Sequence, residues 1–514
     1  SRNADFDFFF FWHNISVALS VLWKLYAPGL FLLALSVVLV AFVQIPAFSP
    51  VLAALRRFSW KAWTVLILLV ASSLLCQLVT IHKIRGSASG FVYANFLSDR
   101  ALRDAYRAHY QEYIEFLRSA DADSAGAADP SILGDIVFFL QQESLDSLLL
   151  SPRITPRILE AARDGIHFRE FYGNSVQSLL GYECLMCGVP TSTERALVEE
   201  YPAEALYELN CLPRIFKSLG YRPILFYSGD PNPRVTNFFR YAGFEEIHAD
   251  DIMRPGDVRY DWGYREDRFF TRVDQYLQAH HTDEKLFIFI TASASNHTPF
   301  KVMDDALLDK VPYPDPQSFQ ERLSNTTFVQ DVYFGHFYDL YRKHYAHRST
   351  LVAVSDHAWP IPRHKHNIYN ERGAYEENFL ITQVFIPPSS KRDAYAVGTT
   401  VPYRFSQIDI YPTMLDLIGL KQDRMLGESF APWLLSSREG EQRKPQKTKL
   451  SLQPYGGGYI SVVSYPMKYL FDVLGGDVKV YDLEKDPLEL SPTSEDPGDY
   501  LILIEDFFQN RGNP

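Results

Sequence analysis

Cysteine is scarce in this sequence. Only four of the 514 residues are cysteine, namely Cys76, Cys184, Cys187 and Cys211, and these are too few for a fold built on disulfides. The chain also lacks an excess of basic residues, since 50 Lys and Arg stand against 62 Asp and Glu and give a net charge of -12. Proteins that bind nucleic acids usually carry a basic stripe. We therefore exclude nucleic acid as a main partner.

Charged residues are absent from two long apolar windows near the amino terminus. Residues 25–55 contain none, and residues 62–81 supply about the 20 apolar positions that a helix needs to cross a bilayer. We predict a membrane region at 1–85 with two transmembrane helices, at about 27–46 and 62–81. The aromatic run FDFFFFWHN indicates an interfacial or partly embedded segment, and the sequence leaves open whether further transmembrane helices precede residue 1. The basic residues between the windows should stay in the cytoplasm, which places the chain after residue 82 outside.

The remainder of the chain divides into a helical linker, 86–130, and a larger domain, 131–514. In the larger domain short apolar runs such as DIVFFLQQ, RPILFYS, KLFIFITAS and STLVAVSDH alternate with helical patterns. This alternation predicts an α/β fold with a mostly parallel sheet sandwiched by helices. The tail, with YISVVS and a Gly-Gly turn, predicts a small antiparallel addition.

Polar residues that can bind metals follow several of the predicted strands. Glu143 comes after DIVFFLQQ, His297 follows KLFIFITAS, and Asp356 with His357 ends STLVAVSDH. Ligands of open α/β sheets gather beyond the carboxyl ends of the strands, and this donor set suits Zn²⁺ or Mn²⁺. Ser178 lies between a strand-like run and a helical one, where it could serve either as an activated nucleophile or as an ordinary helix cap.

These segments together resemble the lipoteichoic acid synthases and glucan phosphoglycerol transferases of the alkaline phosphatase superfamily. The resemblance rests on DIVFFLQQESLDS, on SNHTPF, on VAVSDHAWP and on NSVQSLLGYECLMCG, in which Gln177, Ser178, Gly181 and Cys187 match the nucleophile segment of that family. DWGYREDRFF is similar to its Trp-Gly segment, and IDIYPTMLDLIGL with VYDLEKDPLE to its closing motifs. The motifs occur in the same order over most of the chain.

The resemblance implies an alkaline phosphatase-like (sulfatase-type) fold and a set of site residues. Glu143, Ser178, Asp356 and His357 would bind the metal, most simply Mn²⁺, with Zn²⁺ or Mg²⁺ as alternatives. Ser178, His297 and His366 would act in catalysis; His297, His364 and Trp262 would bind substrate; and Cys187 would form a disulfide with Cys211. His364 and His366 both remain candidates for the histidine that follows the Asp-His pair. Two departures stand out: serine replaces the more usual threonine nucleophile, and the basic residue often found shortly after it is replaced by leucine.

The resemblance further implies a multi-pass protein of the bacterial inner (cell) membrane whose catalytic domain is periplasmic or extracellular. Its reaction would move phosphoglycerol from a membrane phospholipid, phosphatidylglycerol, to a glycan hydroxyl through a covalent Ser178 intermediate. Phosphoethanolamine transfer, hydrolysis of phosphate or sulfate esters, and a non-catalytic lipid-binding role on the same fold remain alternatives. A formylglycine sulfatase is disfavoured, because neither Cys184 nor Cys187 lies in the required oxidation motif. Oligomeric state cannot be read from the sequence.

Overall fold

The computed structural model describes residues 100–119, 128–193, 195–229, 232–361, 363–364, 374–420, 424–436, 448–453, 458–472, 477–493 and 500–509. None of the helices among these residues combines the length and the apolar character that a bilayer crossing requires. The two predicted transmembrane helices, at about 27–46 and 62–81, lie outside the described residues. The structure therefore concerns the linker segment and the larger domain.

A nine-stranded sheet forms the centre of the larger domain. Its strands are β1 Ile136–Gln142, β2 Ile166–Tyr172, β3 Arg222–Phe226, β4 Glu246–His248, β7 Leu286–Ile290, β8 Ser349–Ser355, β9 Leu380–Ile381, β10 Gln383–Ile386 and β11 Thr399–Ser406, while β5 Arg259–Tyr260 and β6 Gly263–Tyr264 form a separate hairpin. Their order across the sheet is β11–β2–β10–β8–β1–β7–β3–β4, and β9 pairs with β2. The five central strands from β8 to β4 are parallel, and β10 runs antiparallel to both of its neighbours.

Helices cover both faces of this sheet. Alternate residues of the central strands belong to two separate hydrophobic cores: Phe139, Phe289 and Val352 to one, Phe138, Ile288 and Leu351 to the other. Strands β1, β7 and β8 are buried along their whole length, as expected for parallel strands between helical layers. The helices are α1 Arg100–Ser119, α2 Pro156–Asp164, α3 Ser178–Cys187, α4 Leu197–Glu200, α5 Ala203–Tyr207, α6 Leu212–Ser218, α7 Pro233–Ala242, α8 Glu266–His280, α9 Phe319–His344, α10 Glu376–Phe379, α11 Ile410–Leu417, α12 Ala431–Leu434 and α13 Tyr500–Gln509. The predicted fold class, a mostly parallel sheet between helices, is confirmed.

A second sheet lies in the carboxyl-terminal part, where the sequence predicts an antiparallel addition. Four antiparallel strands form it: β12 Lys449–Gln453, β13 Tyr459–Ser464, β14 Met467–Asp472 and β15 Asp477–Asp482. Lys468 of β14 is completely buried and pairs with two carboxylates, Glu376 of α10 at 2.9 Å and Glu489 at 2.6 Å. A buried ammonium is tolerated only when it is paired in this way, and the pair with Glu376 joins the second sheet to helix α10.

Helix α1, within the predicted linker 86–130, packs against the residues that follow helix α3. Three of its tyrosines are buried, at positions 106, 110 and 113. The Tyr106 hydroxyl donates a hydrogen bond to the Thr191 carbonyl at 2.6 Å, and the Tyr113 hydroxyl donates one to the Gly188 carbonyl at 3.3 Å. The spacing of these tyrosines places them on one face of the helix. Helix α1 thus adds part of the core that supports α3.

A buried carboxyl, Glu183, lies on helix α3. Its Oε1 accepts a hydrogen bond from the Leu197 backbone N–H at 2.7 Å, but burial raises its pKa from the ordinary 4.5 to about 8. Because the folded pKa exceeds the unfolded one, folding favours the protonated form. The resulting stabilisation is complete below about pH 4.5 and is lost as the pH rises through 8.

We expect Glu183→Gln to remove this pH dependence, because a glutamine can still accept the Leu197 N–H and carries no charge. Between pH 5 and 8 the free energy of unfolding of the wild type should fall by about 1 kcal/mol per pH unit relative to that of the variant. Thermal unfolding across that range measures the difference. Glu204→Gln, at an exposed glutamate of α5, is the control and should follow the wild type. Parallel pH profiles for Glu183→Gln and wild type would contradict the prediction.

Candidate metal-binding active site

Glu143 follows β1 at the carboxyl edge of the large sheet, and its carboxylate is fixed from two sides. Gln141 Nε2 donates to its Oε2 at 3.0 Å, and the Ser144 hydroxyl donates to its Oε1 at 2.9 Å. The Glu143 backbone carbonyl accepts from Asn296 Nδ2 and from Gln330 Nε2, each at 3.0 Å. The side chain is almost completely buried. Its position is therefore set by four hydrogen bonds before any ligand arrives.

Asp356 and His357 lie directly after β8, which is the parallel neighbour of β1. Asp356 Oδ1 accepts the backbone N–H groups of Ser144 at 3.0 Å and of His357 at 2.9 Å, whereas Asp356 Oδ2 is buried without a hydrogen-bond partner among the described residues. His357 Nδ1 lies 2.9 Å from the Ala358 carbonyl, so this nitrogen carries the proton. His357 Nε2 faces Oε1 of Glu143 and Oδ2 of Asp356, each at 3.6 Å.

The three side chains fit a divalent cation. Donor atoms of Glu143, Asp356 and His357 lie within 4.8 Å of one another, and all three residues are buried. Burial and the neighbouring Asp356 carboxylate raise the pKa of Glu143 well above its usual range. Two buried carboxylates and a histidine whose Nε2 is directed between them form a mixed oxygen and nitrogen donor set, which metals such as Zn²⁺ and Mn²⁺ accept. The free oxygen of Asp356 gives the cation a place to bind.

Ser178 is the first residue of α3, after the turn that leaves β2. Gly181, one helical turn later, lies so close to the Asp356 carbonyl oxygen that a Cβ atom there would collide with it. Burial together with the neighbouring Asp356 and Glu143 carboxylates raises the pKa of Tyr182, and the nearby Ser178 side chain opposes this shift. The amino-terminal turn of α3 therefore lies beside the metal ligands, and the Ser178 side chain is partly exposed there.

His297 and Trp262 form a stacked pair. Their ring centroids are 3.7 Å apart, and Trp262 Nε1 donates to the Thr298 carbonyl at 2.7 Å. Trp262 lies in the turn of the β5–β6 hairpin and is 39% exposed. Burial, with a smaller contribution from the neighbouring His357, lowers the pKa of His297 to about 4, although the Thr298 carbonyl and Asp356 oppose the shift. His297 is thus close to the metal ligands, with one face covered by an accessible tryptophan.

His364 and His366 are the two candidates for the histidine that follows the Asp356–His357 pair. His364 Nδ1 lies 3.2 Å from Glu377 Oε1, its Nε2 lies 3.2 Å from the Glu489 carbonyl, and its ring stacks on Tyr375 at 3.7 Å. None of these three partners, Glu377, Glu489 and Tyr375, belongs to the predicted site. His366 lies outside the described residues. The choice between them stays a prediction.

The cysteines are accounted for in the described part of the chain. Cys187, the last residue of α3, forms a disulfide with Cys211, which precedes α6, as the resemblance implies. Cys184 is a free thiol, and burial raises its pKa to about 12. A buried thiol with a raised pKa is a poor nucleophile. None of these three cysteines is therefore a good candidate for a nucleophile.

We expect the double variant Cys187→Ser, Cys211→Ser to unfold with a free energy about 3 kcal/mol lower than that of wild type, because the bridge closes a loop of moderate length. The sequence separation is 24 residues. Chemical denaturation with and without a reductant measures the effect: the reductant should bring the wild type to the level of the double variant and leave the variant unchanged. Cys184→Ala is the control and should keep its response to the reductant.

Several residues at the site were not identified from the sequence. Gln141 lies two residues before Glu143, and Asn296 directly precedes His297, so both belong to quoted motifs, but the sequence does not indicate their hydrogen bonds to Glu143. Gln330 lies in the middle of α9 and Gln407 follows β11, far from every quoted ligand in sequence. Tyr182 is four residues after Ser178, which is the spacing of helix neighbours on one face. Of these residues, only Tyr182 could have been identified from the sequence, by assuming that the residues after Ser178 form a helix.

A mostly parallel sheet between helices, with a buried cluster of carboxylates and histidine at the carboxyl ends of its strands, defines an enzyme of the alkaline phosphatase-like α/β class. The family model named Sulfatase matches residues 122–420, more than half of the sequence. The chain belongs to the Sulfatase family. Sulfatase-fold enzymes of the alkaline phosphatase superfamily bind a divalent metal, in agreement with the Glu143, Asp356 and His357 cluster.

Solved structures with the same fold include proteins of several activities. A protein of the alkaline phosphatase superfamily from Vibrio parahaemolyticus is 18% identical, with 79% of this chain and 97% of that chain covered and a TM-score of 0.57. The lipoteichoic acid synthase LtaP from Listeria monocytogenes is 14% identical, with 78% and 95% covered and a TM-score of 0.58. The phosphonate monoester hydrolase of Agrobacterium radiobacter is 16% identical, with 73% and 94% covered and a TM-score of 0.50. At these identities the likeness establishes the fold.

Proposed function

We propose that the protein is a membrane-anchored, metal-dependent phosphotransferase that moves phosphoglycerol from phosphatidylglycerol to a glycan hydroxyl through a covalent intermediate on Ser178. The observation that carries the proposal is the meeting of Glu143, Asp356 and His357 beside the amino-terminal turn of α3. A hydroxyl at the start of a helix, next to a cation site, is well placed to attack phosphorus, because the helix amino terminus favours the anionic group.

Glu143, Asp356, His357 and Ser178 would hold the cation. We propose Mn²⁺, with Zn²⁺ and Mg²⁺ as alternatives, since each accepts some mixture of oxygen and nitrogen donors. When bound, a divalent cation lowers the pKa of an adjacent hydroxyl and offsets negative charge on phosphoryl oxygens. Ser144, Gln141 and Asn296 keep the ligands in place through the hydrogen bonds described above.

The reaction has two steps. In the first, Ser178 Oγ forms a bond to phosphorus, the bond between phosphorus and the diacylglycerol oxygen breaks, the Ser178 proton leaves, and the departing oxygen gains a proton. In the second, a glycan hydroxyl forms the new bond to phosphorus, the bond to Ser178 breaks, and the proton of the hydroxyl is released as Ser178 regains one. His297 and His366 would donate hydrogen bonds to the transferred group or protonate the leaving oxygen.

Observations other than the metal-ligand cluster support phosphoglycerol as the transferred group and the membrane as the location. The motifs of the sequence resemble lipoteichoic acid synthases, and one structural relative is named as such an enzyme. The two apolar windows at about 27–46 and 62–81 predict an anchor in the bilayer that holds the donor lipid. Trp262 offers an accessible aromatic surface against His297, where a headgroup can bind. The bacterial inner membrane with an extracytoplasmic catalytic domain is the matching location.

The test uses the full chain in vesicles, with Mn²⁺ and a glucan oligosaccharide as acceptor. Phosphatidylglycerol and phosphatidylethanolamine, each labelled in the headgroup, are supplied separately, and p-nitrophenyl phosphate and p-nitrophenyl sulfate are supplied as simple esters. We expect diacylglycerol release and labelled glucan from phosphatidylglycerol. Label transferred only from phosphatidylethanolamine, or rapid hydrolysis of the simple esters without transfer, would contradict phosphoglycerol transfer. Absence of turnover with all four would favour the lipid-binding alternative.

A further inference from the structure

A completely buried glutamine joins the nucleophile segment to the metal-ligand strand. Gln407 lies in the short turn after β11, and its side chain has no solvent exposure. Its Nε2 donates to two consecutive backbone carbonyls at the end of β8, that of Ser355 at 2.8 Å and that of Asp356 at 2.7 Å. Its Oε1 accepts the backbone N–H of Asn174 at 3.1 Å. One amide group therefore binds three backbone groups, two at the end of β8 and one in the segment before Ser178.

Asn174 completes the connection in the other direction. Its Oδ1 accepts the backbone N–H of Ile408 at 2.9 Å, so residues 174 and 407–408 bond to each other reciprocally. Asn174 Nδ2 also donates to the Leu450 carbonyl of β12 at 2.6 Å. Asn174 lies four residues before Ser178, in the turn that leads from β2 to α3. This turn is thus fixed to Gln407, and Gln407 is fixed to the carbonyl of a metal ligand.

The chemistry at this point requires an amide. Nε2 must supply two donor hydrogens to carbonyl oxygens, and Oε1 must accept from an N–H, which a glutamine side chain does in one plane. A glutamate would place an oxygen against the two carbonyls, and an apolar side chain would leave three buried backbone groups without their partner, at a cost in free energy for each. A Cβ atom added at Gly181 would lie 3.3 Å from Gln407 Nε2, so the amide packs directly against the first turns of α3.

We propose that Gln407 is a positioning residue that sets the spacing between Ser178 and the Asp356–His357 pair. The inference rests on the proposed function for the roles of these three residues. Gln407 touches neither substrate nor cation; it acts through the Asp356 backbone and the Ser178 turn. A displacement of about 1 Å between reacting groups can lower a rate about 100-fold, and loss of a partner behind a metal ligand weakens metal binding about 10-fold or more.

The experiment compares Gln407→Met with Thr350→Val in the full chain in mixed micelles. Thr350 lies near the start of β8, the strand whose other end carries Ser355 and Asp356. It is completely buried, and its hydroxyl donates a hydrogen bond to the Leu133 carbonyl at 2.8 Å. Thr350→Val therefore removes a buried hydrogen bond that is remote from the site. We expect Gln407→Met to raise the Mn²⁺ dissociation constant about 10-fold and to lower kcat for diacylglycerol release about 100-fold with KM within twofold. Thr350→Val should lower Tm but leave all three constants within twofold of wild type.

Equal Mn²⁺ dissociation constants and equal kcat values in the two variants would overturn the positioning role, whatever their Tm values. If Gln407→Met does not fold, Gln407→Asn takes its place, because it keeps an uncharged amide but is one methylene shorter, so it cannot reach the Asn174 N–H and the two carbonyls at the same time. A wild type that binds Mn²⁺ but releases no diacylglycerol would contradict the proposed function alone, since the dissociation constants still compare the two variants. A wild type that does not bind Mn²⁺ would contradict both.

Discussion

Replacement of Ser178 by alanine should lower the rate of diacylglycerol release about 10⁴-fold or more, which is the scale observed when a covalent nucleophile is removed. In the proposed reaction the hydroxyl supplies the atom that bonds to phosphorus in the first step. The buried Ser144 hydroxyl donates to Glu143 Oε1, Cys187 is in a disulfide, and Cys184 is a buried thiol with a raised pKa, so none of these three offers a substitute. The measurement is turnover of labelled phosphatidylglycerol in vesicles containing Mn²⁺.

Ser178→Thr is the matched control for this prediction. It keeps the hydroxyl, and threonine is the nucleophile in the family that the sequence resembles, so we expect activity within about tenfold of wild type, a small change beside the loss of the nucleophile. Mass spectrometry of protein quenched during turnover should find phosphoglycerol on the Ser178 peptide in wild type and not in Ser178→Ala. An alanine variant that turns over lipid as fast as wild type would show that the nucleophile lies elsewhere.

The sequence allowed the fold class and the approximate place of the metal ligands to be predicted for a physical reason. Parallel strands that are buried on both faces appear as continuous apolar runs, and their carboxyl ends meet at one edge of the sheet. Glu143, Asp356 and His357 follow such runs, and the structure brings their donor atoms together. The antiparallel direction of β10 is not encoded in this way, because it depends on the order of strands in the sheet.

Contacts between distant segments explain what the sequence left undetermined. Gln407 reaches Asn174 across 233 positions and Asp356 across 51, and an isolated glutamine after a strand carries no pattern that indicates either partner. The tyrosines of α1 show a helical spacing, but their partners at Thr191 and Gly188 depend on how α3 ends. Local periodicity therefore predicts elements and edges, whereas the residues that hold the site together depend on tertiary packing.

Replacement of Asp356 by asparagine should have opposite effects on metal binding and on the stability of the metal-free protein. Asp356 Oδ1 accepts two backbone N–H groups, and an asparagine oxygen can accept both, so the amide nitrogen will occupy the place of Oδ2. An amide nitrogen does not coordinate a cation, and we expect the Mn²⁺ dissociation constant to rise about 100-fold or more with loss of turnover. Removal of one of two adjacent buried carboxylates also relieves their repulsion, which should keep or raise Tm in the presence of a chelator.

The opposite signs separate a lost ligand from a damaged fold, because a variant that merely unfolds would lose stability with and without metal. Titration calorimetry with Mn²⁺ and thermal unfolding with and without a chelator give both quantities. Asp331→Asn is the matched control: Asp331 is equally buried and caps α2 through the backbone N–H groups of Arg157 at 2.9 Å and Ile158 at 2.8 Å. Its substitution should leave the Mn²⁺ dissociation constant within twofold. A metal affinity in Asp356→Asn equal to that of Asp331→Asn would mean that the cation is not bound by the cluster at the end of β8.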